Sequence, residues 1–218
     1  MRRTLLLSLA LTLALGARAA AQTCTGMPSF SSGQLQATAA AAFADGANSF
    51  GGTFGYGVPQ GLYGKAGLGT TSYDGFDGSS LDFSVGGGYQ VPLQTSRTAE
   101  LCPIASLSLG SGPNDVLGSG VDISSRTFAF GAALGAQLGN NPQMQIVPNA
   151  SFQFANTRLS MDDGTDSASG SESYGLLTLG TGFVFNSRYS LNPSVSLPMG
   201  LEGSDASFTL AGAIHFGR

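Results

Sequence analysis

From about residue 34 onward the chain alternates, residue by residue, between large apolar side chains and small or uncharged polar ones. At its end Phe208, Leu210, Gly212, Ile214 and Phe216 share one parity, and Ser207, Thr209, Ala211, Ala213 and His215 the other. Near 130, Phe128, Phe130, Ala132 and Leu134 stand against Thr127, Ala129, Gly131, Ala133 and Gly135. A period of two puts successive side chains on opposite faces of an extended strand. Ten such segments run over 34–44, 49–58, 62–73, 80–92, 98–110, 124–139, 143–159, 173–186, 188–199 and 206–217. In the first of them Ala39–Ala42 suits a helix equally well.

Proline recurs at 103, 148 and 193, a spacing of 45 residues both times. Each proline opens a unit of two strands and one loop, and its position near a strand start is where a missing N–H is tolerated. The connections alternate in length. Short ones are 59–61, 94–97, 140–142 and 186–188, and longer ones 73–79, 111–123, 160–172 and 200–206. Short turns on one side and long loops on the other are the pattern of a membrane-spanning barrel.

A soluble sandwich alternates as well, so two further features decide the matter. The polar face carries almost no charge, its titratable members being Lys65, Asp82, Glu100 and His215. Of the 13 acids, all but Glu100 fall in or beside the connections on one side of the sheet, whereas Arg97, Arg188 and Arg218 fall on the other. Backbone groups in hydrocarbon must all be paired, so a spanning sheet has to close on itself. The reading is therefore an all-β, transmembrane, antiparallel up-and-down β-barrel. Ten strands are expected, with eight as the alternative if the first two segments merge, and both termini periplasmic.

Met1-Arg2-Arg3, an apolar run from Leu5 to Leu15 and the small residues Ala19-Ala20-Ala21 make a secretory leader, 1–21. The run, about eleven residues, is too short to cross a bilayer as a helix, which takes ~20, and no later apolar stretch is that long. Residues 22–33 form a periplasmic N-terminal segment and 34–218 the barrel. Without the leader six basic residues face 13 acids, a balance that argues against a nucleic-acid partner. The two cysteines, Cys24 and Cys102, are expected to form one disulfide in an exported chain. A metal pair would need further ligands.

The leader, the alternating hairpins and the last strand, Ser207 to Arg218, resemble small bacterial outer-membrane β-barrel proteins, the class of OmpA-like and OmpX-like barrels. The resemblance covers 34–218. It implies the outer membrane of a diderm bacterium, surrounding outer-membrane lipid, a monomer, and insertion by the barrel-assembly machinery. That machinery would read Phe208, Leu210, Ile214 and Phe216, although Phe216 is followed here by Gly217 and Arg218 rather than ending the chain.

No residue set calls for a cofactor. His215 is the only histidine and reads as a lumenal structural residue, lacking a nucleophile or paired carboxylates. Lys65 faces the lumen and is expected to pair with Asp82 or Glu100. The strings holding Asp74 and Asp77, and Asp162, Asp163 and Asp166, offer weak divalent-ion ligands but do not match the EF-hand spacing. The expected role is structural or surface-interacting, with the acidic loops outside. The alternatives are a narrow, porin-like or small-solute-binding barrel and, last, an outer-membrane enzyme.

Overall fold

A computed structural model describes residues 23–27, 33–74, 78–93, 99–112, 121–138, 141, 143–162, 164, 166–200 and 205–216. The leader 1–21 therefore lies outside the described residues, as do Asp77, Arg97, Asp115, Asp163, Glu202 and Arg218.

The alternating segments become strands β1 (Leu35–Ala44), β2 (Ala47–Gly57), β3 (Leu62–Tyr73), β4 (Ser79–Tyr89), β5 (Val91–Pro92) and β6 (Ala99–Ser111). They continue as β7 (Asp122–Ala136), β8 (Met144–Asp162), β9 (Ser167–Phe185), β10 (Tyr189–Met199) and β11 (Ser207–Phe216). β5 resumes β4 after Gln90, and both pair with β6, so the wall is ten strands wide. Neighbours in sequence are neighbours in the sheet throughout. The ring closes where β1 pairs with β11, from Leu35↔Phe216 to Phe43↔Phe208. Every strand thus has a partner on both sides, which is what a sheet surrounded by hydrocarbon requires.

Tight turns follow local chemistry. Asn186 and Ser187 both take positive φ, 51° and 54°, the type I′ geometry that matches strand twist. Arg188 N–H closes that turn on the Phe185 carbonyl at 3.0 Å. Ala39–Ala42 is strand, held by ladders to β2 and β11, which override the helical preference of alanine.

Two expectations need correcting. Within 160–172, the stretches 160–162 and 167–172 are strand rather than loop. The β8–β9 ladder continues past Thr157↔Glu172 to Asp162↔Ser167, making a two-stranded ribbon beyond the apolar part of the wall. Both of its faces are largely exposed, so nothing there selects alternation. Second, Pro103, Pro148 and Pro193 lie near the strand start as expected but do not open their units, each being the fifth residue of its strand. At Pro193 the ladder to β9 skips, since pairing runs from Leu191↔Phe183 straight to Ser194↔Gly180.

Burial is inverted relative to a soluble domain. Gln36, Asn192 and His215 are 2%, 8% and 4% exposed, whereas Phe54 and Leu68 are 71% and 61% exposed on the outside. Water would not tolerate so continuous an apolar exterior. Hydrocarbon does, and Tyr56, Tyr189 and Phe216 near one rim and Phe43, Tyr73 and Phe208 near the other supply the aromatic girdles of such a wall. No helix among the described residues is long and apolar enough to cross a membrane.

Candidate functional site

The lumen is the place where polar chemistry collects. We call the end holding Leu35 and Phe216 the terminal end, and the opposite one the loop end. Asp45, Asp74, Asp122, Asp162, Asp166, Glu172 and Asp205 all lie toward the loop end, by their positions at the strand tips.

Residues 23–27, expected outside the barrel, are inside it. Thr23–Thr25 form one 3₁₀ turn against β6, β7 and β8. Cys24 is bonded to Cys102 of β6 with their Cα atoms 6.1 Å apart, and the sulfurs pack on Ala133 and Ile104. The bridge uses both thiols, so the Glu100 carboxylate beside it, within 4.8 Å of the sulfurs, has no thiolates to join in holding a metal.

The rest of the segment is built into the wall. Asn192 Nδ2 donates to the Thr25 carbonyl at 2.8 Å. Asn149 Nδ2 in turn donates to Asn192 Oδ1 at 3.4 Å and to the Val147 carbonyl at 3.2 Å. Gly26 has φ +68°, and a side chain there would strike both asparagines. Opposite it, a Cβ at position 182 would run into the Gly26 carbonyl, so Gly182 is what lets the chain lie against β9. Met27 packs on Ala40, Ala211 and Ala213, and its sulfur accepts from Gln36 Nε2 at 2.8 Å. The segment thus touches β1, β6, β7, β8, β9, β10 and β11. On the remaining side Tyr63 and Gln90 are buried, and Gly88 leaves space for the Tyr63 ring.

All four residues expected in the lumen point inward. Lys65 lies 5.4 Å from the centre of the Tyr63 ring, a cation–π contact, and no ion pair joins it to Asp82 among the described residues. Glu100 and His215 are buried at the terminal end. Neither ring nitrogen of His215 has a hydrogen-bond partner among the described residues, so no acid or hydroxyl there orients it as a base. Asp82 belongs to the loop half, where Ser80 Oγ donates to it at 3.5 Å.

Around Asp82 the lumen opens into a cavity of about 330 Å³, lined on the inward parity by Thr38, Ser49, Thr53, Thr71, Ser84 and Ser108. The hydroxyls of Ser49 and Thr71 bond each other at 2.9 Å. Ala40, Ala42, Gly51 and Gly69 complete the lining, so one carboxylate and several hydroxyls border a largely carbon-lined space with room for roughly ten waters. Of the acidic-loop candidates, Asp162 Oδ1 accepts the Gly164 N–H at 2.8 Å, closing its own turn. Asp166 stands across the same turn, just before Ser167, and Asp74 follows the end of β3, while Asp77 and Asp163 lie outside the described residues. Phe208, Leu210, Ile214 and Phe216 all face outward on β11.

No known protein-family profile matches the chain, and no curated protein matches it. Solved structures do. The β domain of the Bordetella autotransporter BrkA is similar with a TM-score of 0.51 at 14% identity, over 84% of this chain and 98% of that one. The translocator domain of the autotransporter NalP from Neisseria meningitidis gives 0.48 at 10% identity, over 86% and 89%. Ail, the attachment invasion locus protein of Yersinia pestis, gives 0.41 at 13%, over 85% and 100%. At such identities the likeness speaks of fold alone. A closed ten-stranded wall, apolar outside and polar within, gives this chain the fold of a small membrane-spanning β-barrel.

Proposed function

We propose that the protein is a closed structural barrel that displays its loops and the β8–β9 ribbon at the cell surface, with the terminal end toward the periplasm. The observation that carries this reading is the segment Cys24–Met27, stapled by a disulfide inside the lumen and touching seven of the ten wall strands. A pore needs a continuous water path, and here the buried side chains of Asn192, Tyr63 and Gln90 narrow the section beside the segment. The disulfide fits an oxidising periplasm at the terminal end, and the acidic loop end fits the exterior. Single-channel recording on the refolded, oxidised protein in planar bilayers tests it. The expected trace is silent, and steady conductance steps would overturn the reading.

The cavity around Asp82 supports a second reading, a small-solute-binding barrel with its site in the loop half of the lumen. Asp82→Asn separates the two. A binder loses affinity for cationic solutes with this change, and a purely structural barrel is indifferent to it.

A further inference from the structure

Two arginines outside the lumen take no part in the proposal above. Arg126 of β7 and Arg158 of β8 are direct cross-strand partners, and both are exposed on the outward parity. Like charges placed opposite each other destabilise an antiparallel ladder unless a group of opposite charge lies between them. Among the described residues no ion pair forms at either arginine. Arg158 Nη2 donates to Ser169 Oγ at 3.2 Å, which leaves its charge uncompensated.

Their place along the wall is specific. One step toward the terminal end the outward pairs are Phe128↔Asn156 and then Phe130↔Phe154, the rings of Phe130 and Phe154 being 5.8 Å apart. One step toward the loop end they are Ser124↔Ser160, and then Asp122↔Asp162. The acids are thus four residues away along each strand, about 13 Å. On the flanking strands Leu109 lies opposite Arg126, and Ser171 opposite Arg158. Asn156, beside them, donates to Ser173 Oγ at 2.8 Å. The guanidinium pair therefore sits where the apolar belt gives way to hydroxyls and points radially, toward lipid.

We propose that Arg126 and Arg158 form a binding site for the phosphates of an outer-leaflet glycolipid headgroup. Guanidinium offers phosphate two parallel N–H donors, and a phosphate bridging the pair removes the repulsion that the ladder otherwise bears. Ser124, Ser160 and Asn156 border the same patch with further polar groups. A lipid fits better than a free anion because the side chains point away from the axis, directly over Phe128, Phe130 and Phe154. The assignment of leaflet rests on the orientation proposed above, whereas the phosphate chemistry does not.

The test is native mass spectrometry of the full chain in detergent, titrated with bisphosphorylated lipid A, with lipid A lacking one phosphate, and with sodium pyrophosphate. The expected result is lipid A adducts that weaken at least tenfold in the R126Q/R158Q variant and weaken with the monophosphorylated lipid. Pyrophosphate should neither bind comparably nor displace the lipid. Equal lipid binding by the variant overturns the site, and equal binding of pyrophosphate overturns the lipid assignment. Heat-modifiable gel migration checks that the variant is folded, and R126K/R158K, which keeps the charge, should restore part of the binding. Protease digestion of the ribbon in intact cells reads orientation separately. A protected ribbon sinks the outward-facing reading and the outer-leaflet assignment, while leaving the phosphate titration to stand or fall on its own.

Discussion

Removing the disulfide, with Cys24→Ser and Cys102→Ser together, should free the N-terminal segment and open the lumen. Ordering five residues, 23–27, costs about 5–10 kcal/mol at 1–2 per residue. Burying Met27 returns about 2 kcal/mol. The hydrogen bonds at Thr25 and Met27 return about 1 kcal/mol each. That sum of about 4 falls short of the cost. With the wall folded, only the stretch from Cys24 to the start of β1 at Leu35, about eleven residues, is free, so the bridge restricts the segment by about 3 kcal/mol in the chain-entropy picture, which closes the difference toward the lower end of the cost. Without it the segment should spend most of its time outside. In planar bilayers the oxidised wild type should be silent, and the variant should show small, steady steps, as should the wild type treated with reductant. If the variant runs as a folded, heat-modifiable barrel yet stays silent, the segment is not what closes the lumen and the reasoning fails.

Gly182→Leu places a side chain against the Gly26 carbonyl, so it should keep the segment out of the lumen as the barrel assembles and leave Cys24 and Cys102 as unpaired thiols. Alkylation of Cys24 and Cys102 under non-reducing conditions should rise from near zero while the barrel stays folded. Phe154→Arg puts a charge into the outer belt beside Phe130 and should weaken insertion by about 2–4 kcal/mol if it sits near the midplane, read as urea-dependent folding into liposomes. The inward Thr157→Ser on the same strand should change little. Replacing residues 160–169 with Asn-Gly removes ribbon that is largely exposed on both faces and should leave heat-modifiable migration unchanged.

Much of the wall could be read from residues because each strand has one lipid-facing and one lumenal side, and that contrast is what alternation records. Where the contrast vanishes, reading fails. Ser167–Ser173 see water on both faces, so their strand is set by pairing with β8, which no single residue announces. The cysteine pair was visible, but not that it draws the chain into the lumen. The available signals were Gly182 and the inward asparagines 149 and 192, which look like ordinary lumenal small and polar residues until the segment is laid over them. Lys65 lies on the lumenal face that alternation predicts, and its ammonium sits over the Tyr63 ring two residues away on the same strand, a contact that sequence spacing does not rank above a carboxylate. Arg126 and Arg158 are 32 positions apart and become a pair only through register.

The central claim is a closed ring whose seam is the β1–β11 ladder. Cysteines at Ala39 and Gly212, which face each other across that seam, placed in a C24S/C102S background and oxidised in isolated membranes, test it most directly. Cross-strand partners lie within disulfide reach, so the account predicts near-complete crosslinking in the outer-membrane fraction. It predicts little for Ala39 with Ala211, whose side chains point to opposite faces. Recovery of the protein in the soluble fraction, or equal crosslinking of the shifted pair, would contradict it.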